Sequence, residues 1–256
     1  MTNLTRWLLP LGILLLGFTA WEVAVRIDNT PRWMLPPPTA IARSFRDDRQ
    51  LLFDNARVTL VEILLGFGCA LVIGVVVGVA ISISRILERA IYPIIIASQT
   101  IPMVALAPLL LIWFGYGLFP KVIVTTLVCF FPIAVSTVDG LRAVDREVIA
   151  LLRTYGASRW RRFCLASIPS ALPSLFSGIR VAITFSVIGA VFGELVGASE
   201  GLGYLMQRAA AQFQTARVFA ALFILSGMGV GLFALATLIE RVVLPWRRYI
   251  QEDPDA

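Results

Sequence analysis

Few side chains in this chain could do chemistry. The 256 residues include no histidine, which removes His-dependent zinc sites and Ser-His or Cys-His nucleophilic catalysis together. The cysteines, Cys69, Cys129 and Cys164, lie far apart, two of them inside apolar runs, and read as small packing residues. Lys121 is the single lysine. It follows Phe119-Pro120 with no glycine-rich turn, so no GxxxxGK[ST] phosphate loop exists to bind ATP. A membrane-embedded protease or acyltransferase would need a nucleophile and base built from Asp, Glu or Lys, and no pair of Asp residues stands at mid-span. No catalytic residue, cofactor or metal is expected.

What remains are ionisable and polar groups in unusual surroundings. Glu194 stands in a Gly-rich apolar stretch. An ionisable residue at membrane depth marks a translocation path or the lining of a water-exposed mouth. Arg180 precedes it by 14 residues on the same predicted helix, roughly 21 Å at 1.5 Å per residue, so the two cannot pair within one straight helix. Arg180 is expected to snorkel to the inner interface or line an inner cavity. Gln99 and Thr100 stand before Ile101-Pro102 in a charge-free stretch, as pore candidates or as partners in helix–helix hydrogen bonding.

Membrane helices must position these groups. The chain is 58% hydrophobic and 15% charged, with a mean hydropathy of +0.84, where a soluble domain is about half apolar and a quarter charged. The net charge of +6 and isoelectric point near 9.8 fit Arg-rich loops and lipid headgroups. They do not indicate nucleic acid, because no basic, aromatic-interleaved soluble domain is present. An all-α polytopic protein of about six spans is predicted, each needing about 20 apolar residues. The spans run from Trp7 to Val25, from Val58 to Ser84, through a kinked third span ending near Phe114, from Val122 to Val138, from Ala171 to about Val196, and from Val218 to Ile239. The third lies in the charge-free residues 90–120, interrupted by Pro93, Pro102 and Pro108 and followed by a Gly115-Tyr116-Gly117 turn. The first is read as an uncleaved span, since no small-residue cleavage site precedes Glu22 and Arg26. Gly74 and Gly78 form a GxxxG that permits close helix contact.

The positive-inside rule places residues 142–162, Arg85 with Arg89, and the tail arginines 241, 247 and 248 on the cytoplasmic side, with both termini inside. The stretch 26–57 conflicts with it, carrying six Arg on the outside. Within that stretch Leu35-Pro36-Pro37-Pro38-Thr39 stiffens the chain, and Thr39 can cap an amphipathic helix from Ala40 to about Phe53 that lies flat at the interface. The organisation expected is an N-terminal helix with an extracytoplasmic interfacial segment (1–55), a transmembrane domain (56–240) and a cytoplasmic tail (241–256).

The loop 142–162 carries six Arg and cannot enter hydrocarbon, where one central Arg costs roughly 2.5–3.5 kcal/mol. Gly156 is followed ten residues later by Ala166, then Ser167, Ile168 and Pro169. This resembles the cytoplasmic EAA loop of binding-protein-dependent ABC importer permeases. Ala150, Leu151 and Leu152 fall at the EAA positions, Gly156 at the glycine and Ile168-Pro169 at the Leu-Pro. The acidic position is Ala150, and the nearest carboxylate, Glu147, lies one turn earlier. Further stretches are similar to the nitrate, sulfonate and taurine permeases and their vitamin-precursor relatives. They include Leu35 to Thr39, Thr59-Leu60 with Glu62, Ala105 to Leu109, Trp113-Phe114-Gly115 and Gly193 to Gly203. Phe130 to Val135 and Arg153 to Ser158 look nearest to the vitamin branch. The similarity covers about residues 30–246.

The resemblance implies a type I ABC importer permease fold with a cytoplasmic coupling helix in residues 142–170. It implies that Val148, Ile149, Ala150, Leu151, Leu152, Gly156, Ala157 and Ser158 meet a cytoplasmic ABC ATPase dimer. It also implies a second permease copy, an extracytoplasmic solute-binding protein, and membrane lipid around the spans. The solute expected is an aromatic vitamin or precursor such as riboflavin or hydroxymethylpyrimidine. The alternatives are a sulfonate, taurine or nitrate importer permease, or an ATP-independent channel or secondary transporter.

Overall fold

A computed structural model of the chain describes residues 3–28 and 30–246. Arg247, Arg248 and the rest of the expected tail beyond them lie outside the described residues. Among those residues the chain is helical, with no strand: α1 Asn3–Ile27, α2 Pro38–Asp47, α3 Arg49–Ile83, α4 Arg85–Ser98, α5 Met103–Phe114, α6 Leu118–Arg142, α7 Arg146–Thr154, α8 Arg159–Arg162, α9 Ile168–Leu195, α10 Leu202–Ala211 and α11 Thr215–Val243. A π-turn, Phe163–Ser167, joins α8 to α9.

Four segments are long and apolar enough to cross a membrane: α3, α6, the run Arg159–Leu195 and α11. The pair α4–α5 makes a fifth if it is one span. The 25-residue α1, about 37 Å long, has the length of a sixth. Two sequence expectations change. The third span is no gentle kink, because α4 and α5 meet at 101°. The corner falls at Gln99–Pro102, where Pro102 supplies the extended entry into α5 (φ −65, ψ 115). The interfacial helix stops at Asp47, and residues 49–57 belong to the long α3 instead. The four-residue α8 is no separate element. It runs through the π-turn into α9 as one 37-residue segment.

The chain forms two compact units. One contains Leu60–Ala198 and the chain from Gly227 onward. Its core is a three-helix ladder of α3, α6 and α9 built on small residues. Along α3, every fourth residue meets the α6 residue 59 positions later: Glu62 with Lys121, Gly66 with Thr125, Gly74 with Ile133 and Gly78 with Thr137. A constant offset means that the two helices run parallel. α9 runs the opposite way, bringing Gly193 against Lys121, Gly189 against Thr125 and Gly178 against Ser136. Ala70, Cys129, Ile133 and Ala182 fill the middle. The glycines allow the approach. A Cβ on Gly178 would lie 2.5 Å from Ser136 Cβ and 2.7 Å from the Pro132 carbonyl oxygen. In a membrane, where no hydrophobic force separates helices from lipid, such backbone contact is what associates them.

The other unit holds the N-terminal segment through Thr59 together with Ser199–Ser226. Here α2 is capped from α1. Glu22 accepts from the Thr39 amide at 3.0 Å and from the Thr39 hydroxyl at 2.9 Å, so Thr39 sits inside the helix and Glu22 takes the capping role expected of it. Arg217 donates to Asp48 at 2.6 Å, and this ion pair with the Ser44 hydroxyl holds the Asp48 carboxyl below its usual value. α10 was not anticipated from sequence and starts at Gly201 (φ +116), which has no capping side chain. Its first amides donate to Asn55 Oδ1 (2.8 Å) and Thr59 Oγ1 (2.9 Å) on α3.

Candidate functional site

The first candidate is the elbow around Gly156. α7 starts at Asp145, whose carboxylate accepts from the Glu147 amide at 2.8 Å. It ends with two reversed bonds: the Gly156 amide donates to Arg153 O and the Ala157 amide to Leu152 O, both at 3.0 Å. This is a Schellman ending, which needs a left-handed residue at its hinge, and Gly156 supplies φ +72. Two residues on, Ser158 Oγ accepts from the Arg161 amide at 3.3 Å and caps α8. The sequence Gly156-Ala157-Ser158 thus ends one helix and begins the next with no slack residue.

No side chain of α7 is buried. Val148 and Leu151 point outward, Leu151 at 57% exposure, and on either side of the turn Tyr155 and Trp160 are more exposed still. Ile149 and Leu152 are half-buried, Ala150 is exposed, and Ala157 and Ser158 flank the hinge. The outward apolar face of α7 is therefore Val148 and Leu151. Of the basic residues, Arg142 is structural. It pairs with Glu88 at 2.7 Å and lies over the Tyr92 ring at 5.5 Å. Arg153, Arg159 and Arg161 are exposed and form no ion pair among the described residues.

The second candidate is a buried layer of charge at the opposite end of the ladder. Lys121 Nζ donates to Glu62 Oε1 at 2.6 Å, with side-chain exposures of 10% and 1%. Glu194 is fully buried and within electrostatic reach of Glu62. Glu62 Oε2 is buried with no hydrogen-bond partner. Three ionisable groups thus share one dry layer, where charges survive only by mutual compensation. Glu194 was expected on a translocation path or at a wet mouth, and in this structure it is fully buried. The Glu62–Lys121 pair escaped notice, although the sequence carries its signal. Each residue is a lone charge near the start of an otherwise apolar run, and two lone opposite charges at that depth need each other.

The remaining candidates are not brought together. Arg180 is held by an ion pair between helices. It donates to Glu240 on α11 at 2.9 Å and to Ser177 Oγ at 3.2 Å, a largely buried pair that satisfies the arginine within the protein. Gln99 and Thr100 are exposed at the α4–α5 corner, where Thr100 Oγ1 donates to Ala97 O at 2.7 Å.

Comparison with known proteins matches residues 70–245 to the family described as binding-protein-dependent transport system inner membrane component. The formylaminopyrimidine transport permease protein ThiX of Halalkalibacterium halodurans is 40% identical over 93% of this chain and 96% of its own length. The riboflavin transport system permease protein RibX of Chloroflexus aurantiacus is 38% identical over 93% and 89%. The taurine transport system permease protein TauC of Escherichia coli is 27% identical over 95% and 91%. In fold, the chain resembles a structure of the MetNI methionine ABC transporter, with a TM-score of 0.68 at 22% identity over 77% of this chain and 98% of that one. The chain belongs to the binding-protein-dependent inner-membrane permeases of ABC importers, as a multi-pass transport subunit whose ATPase is a separate chain.

Proposed function

We propose that this permease carries an aromatic vitamin or vitamin precursor of the pyrimidine or flavin kind into the cell. The observation that supports it is the gradient of similarity. Permeases named for formylaminopyrimidine and riboflavin share 40% and 38% of residues, those named for aliphatic sulfonates or taurine 27% to 29%. In this reading two copies of the chain face each other, the elbow around Gly156 lies in the cytoplasm, and both termini lie inside. An extracytoplasmic solute-binding protein delivers the solute on the other side. The face Val148 and Leu151 seats in a cleft of the ATPase, and the hinge, held by two caps, passes the ATPase's closure to α8. Because α8 continues into α9, the movement travels along a 37-residue rod, about 55 Å long, whose far end carries Glu194. Binding energy spent at one end can then bias a two-state packing at the other.

The test is uptake into proteoliposomes holding the permease, its ATPase and its binding protein. Labelled formylaminopyrimidine, riboflavin and taurine are compared, with ligand binding to the binding protein measured in parallel. ATP-dependent uptake of a pyrimidine or flavin is expected. Uptake of taurine alone would move the chain to the sulfonate branch. For the elbow, Gly156→Val should abolish uptake while the protein still inserts, and normal uptake by that variant would remove the coupling role.

A further inference from the structure

The six arginines of residues 26–57 are unexplained by the positive-inside rule, and three of them meet in one place. An open cavity of about 460 Å³ at the end of α1 is lined by Arg26, Arg32 and Arg43 with Thr30 and Thr39. That is within the range of small-molecule sites, roughly 300–1,000 Å³. Arg26 is engaged by Glu22 at 2.7 Å. Arg32 and Arg43 are exposed and form no ion pair among the described residues. Three guanidiniums against the single carboxylate of Glu22 leave the cavity two positive charges in excess. We propose that this cavity binds the phosphate of an anionic phospholipid, with Arg32 and Arg43 as its principal donors.

Guanidinium forks match phosphate oxygens in pairs and are weakly hydrated, which suits a site at headgroup depth. The surroundings favour a lipid over an acidic protein. α1 leads to the cavity through exposed apolar residues, Leu14, Leu15, Leu16, Phe18 and Val23. Next to Arg32, Trp33 and Met34 are 58% and 66% exposed. Trp at the boundary between an apolar helix and a cationic cluster is the arrangement of a membrane interface, where the ring meets acyl chains and the cations meet phosphate. The inference is independent of the transported solute.

The experiment uses delipidated full-length protein in a neutral detergent and follows thermal protection by added phosphatidylglycerol, phosphatidylcholine or inorganic phosphate. Native mass spectrometry counts retained lipid in parallel. Wild type is expected to be protected by phosphatidylglycerol and not by the other two. R32Q/R43Q should weaken that protection by about a factor of 30, roughly 5 for each guanidinium near an anionic surface. R85Q/R89Q, which changes arginines elsewhere, should behave as wild type. Since Arg32 and Arg43 are exposed and unpaired, the variant should fold, and each single variant offers the same readout at a smaller size. Unchanged phosphatidylglycerol affinity in R32Q/R43Q overturns the proposal. Equal protection by inorganic phosphate overturns it in favour of a soluble-anion site. Unchanged lipid retention with a lost response to the binding protein overturns it in favour of protein docking.

Discussion

Replacing Lys121 by methionine tests the charge layer most directly. The substitution keeps an unbranched side chain, one atom shorter, and removes its charge. Glu62, bonded to Lys121 at 2.6 Å and 1% exposed, would then share a dry layer with the fully buried Glu194 without the Lys121 charge that now compensates it. Removing one partner of a buried pair costs about 3–5 kcal/mol, because the other charge is left uncompensated. For a chain of this size each kcal/mol moves the melting temperature by about 2–4 °C, so Lys121→Met should melt about 6–20 °C below wild type. The control is the triple variant Glu62→Met/Lys121→Met/Glu194→Leu, which removes every charge in the layer. Swapping a buried ionic cluster for apolar groups is typically neutral or stabilising by about 1–4 kcal/mol, so the triple variant should melt near or above wild type. Differential scanning fluorimetry in detergent reads both. Lys121→Met melting within about 2 °C of wild type, or a triple variant no more stable than the single one, would refute the reasoning. Uptake by the triple variant then separates stability from transport: a stable but inactive protein means that the charges serve the transport cycle.

Gly178→Val should be destabilised by about 1–3 kcal/mol through overpacking, since its Cβ would meet Ser136 Cβ and the Pro132 carbonyl at 2.5 and 2.7 Å; the melting temperature checks it. Asp145→Ala removes the cap of α7 and should cost that helix about 1 kcal/mol, lowering uptake more than global stability. Asp48 has a folded pKa below its usual 3.8, first through the hydrogen bond from Arg217. Its contribution is therefore fully present above about pH 4 and disappears as pH falls through the folded value. The stability gap between wild type and Asp48→Asn should be flat from pH 7 to 5 and close on further acidification. A gap that persists unchanged at pH 3 contradicts the assignment.

The spans were legible because burial in lipid demands long apolar runs, and five of them fall within the helices found, to within a residue at their ends. The turn at Gly115-Tyr116-Gly117 was legible too, with positive φ at both glycines. The corner at Gln99–Pro102 was not. Pro93 and Pro108 sit inside helices while Pro102 breaks one, and local sequence cannot say how far a proline bends a chain whose neighbours decide. α10 escaped because its caps, Asn55 and Thr59, lie 146 and 143 residues from the amides they hold. At the elbow, the Schellman glycine and the Ser158 cap are local signals and were readable. The Glu62–Lys121 pair was present as two isolated charges, but linking them required the offset of 59 residues, which only the packing of α3 on α6 supplies.

The π-turn Phe163–Ser167 gives the rod a gear. A π-turn holds one residue more than an α-turn, and Pro169, just beyond it, brings no N–H to the helical ladder. Relaxing that surplus into α-helix would turn everything on its N-terminal side by about 100° and shift it by about 1.5 Å. Since α7 hangs from α8, such a step is a ratchet. One extra residue stored or released beside the elbow would change which way Val148 and Leu151 face, without unwinding the helix that carries Glu194.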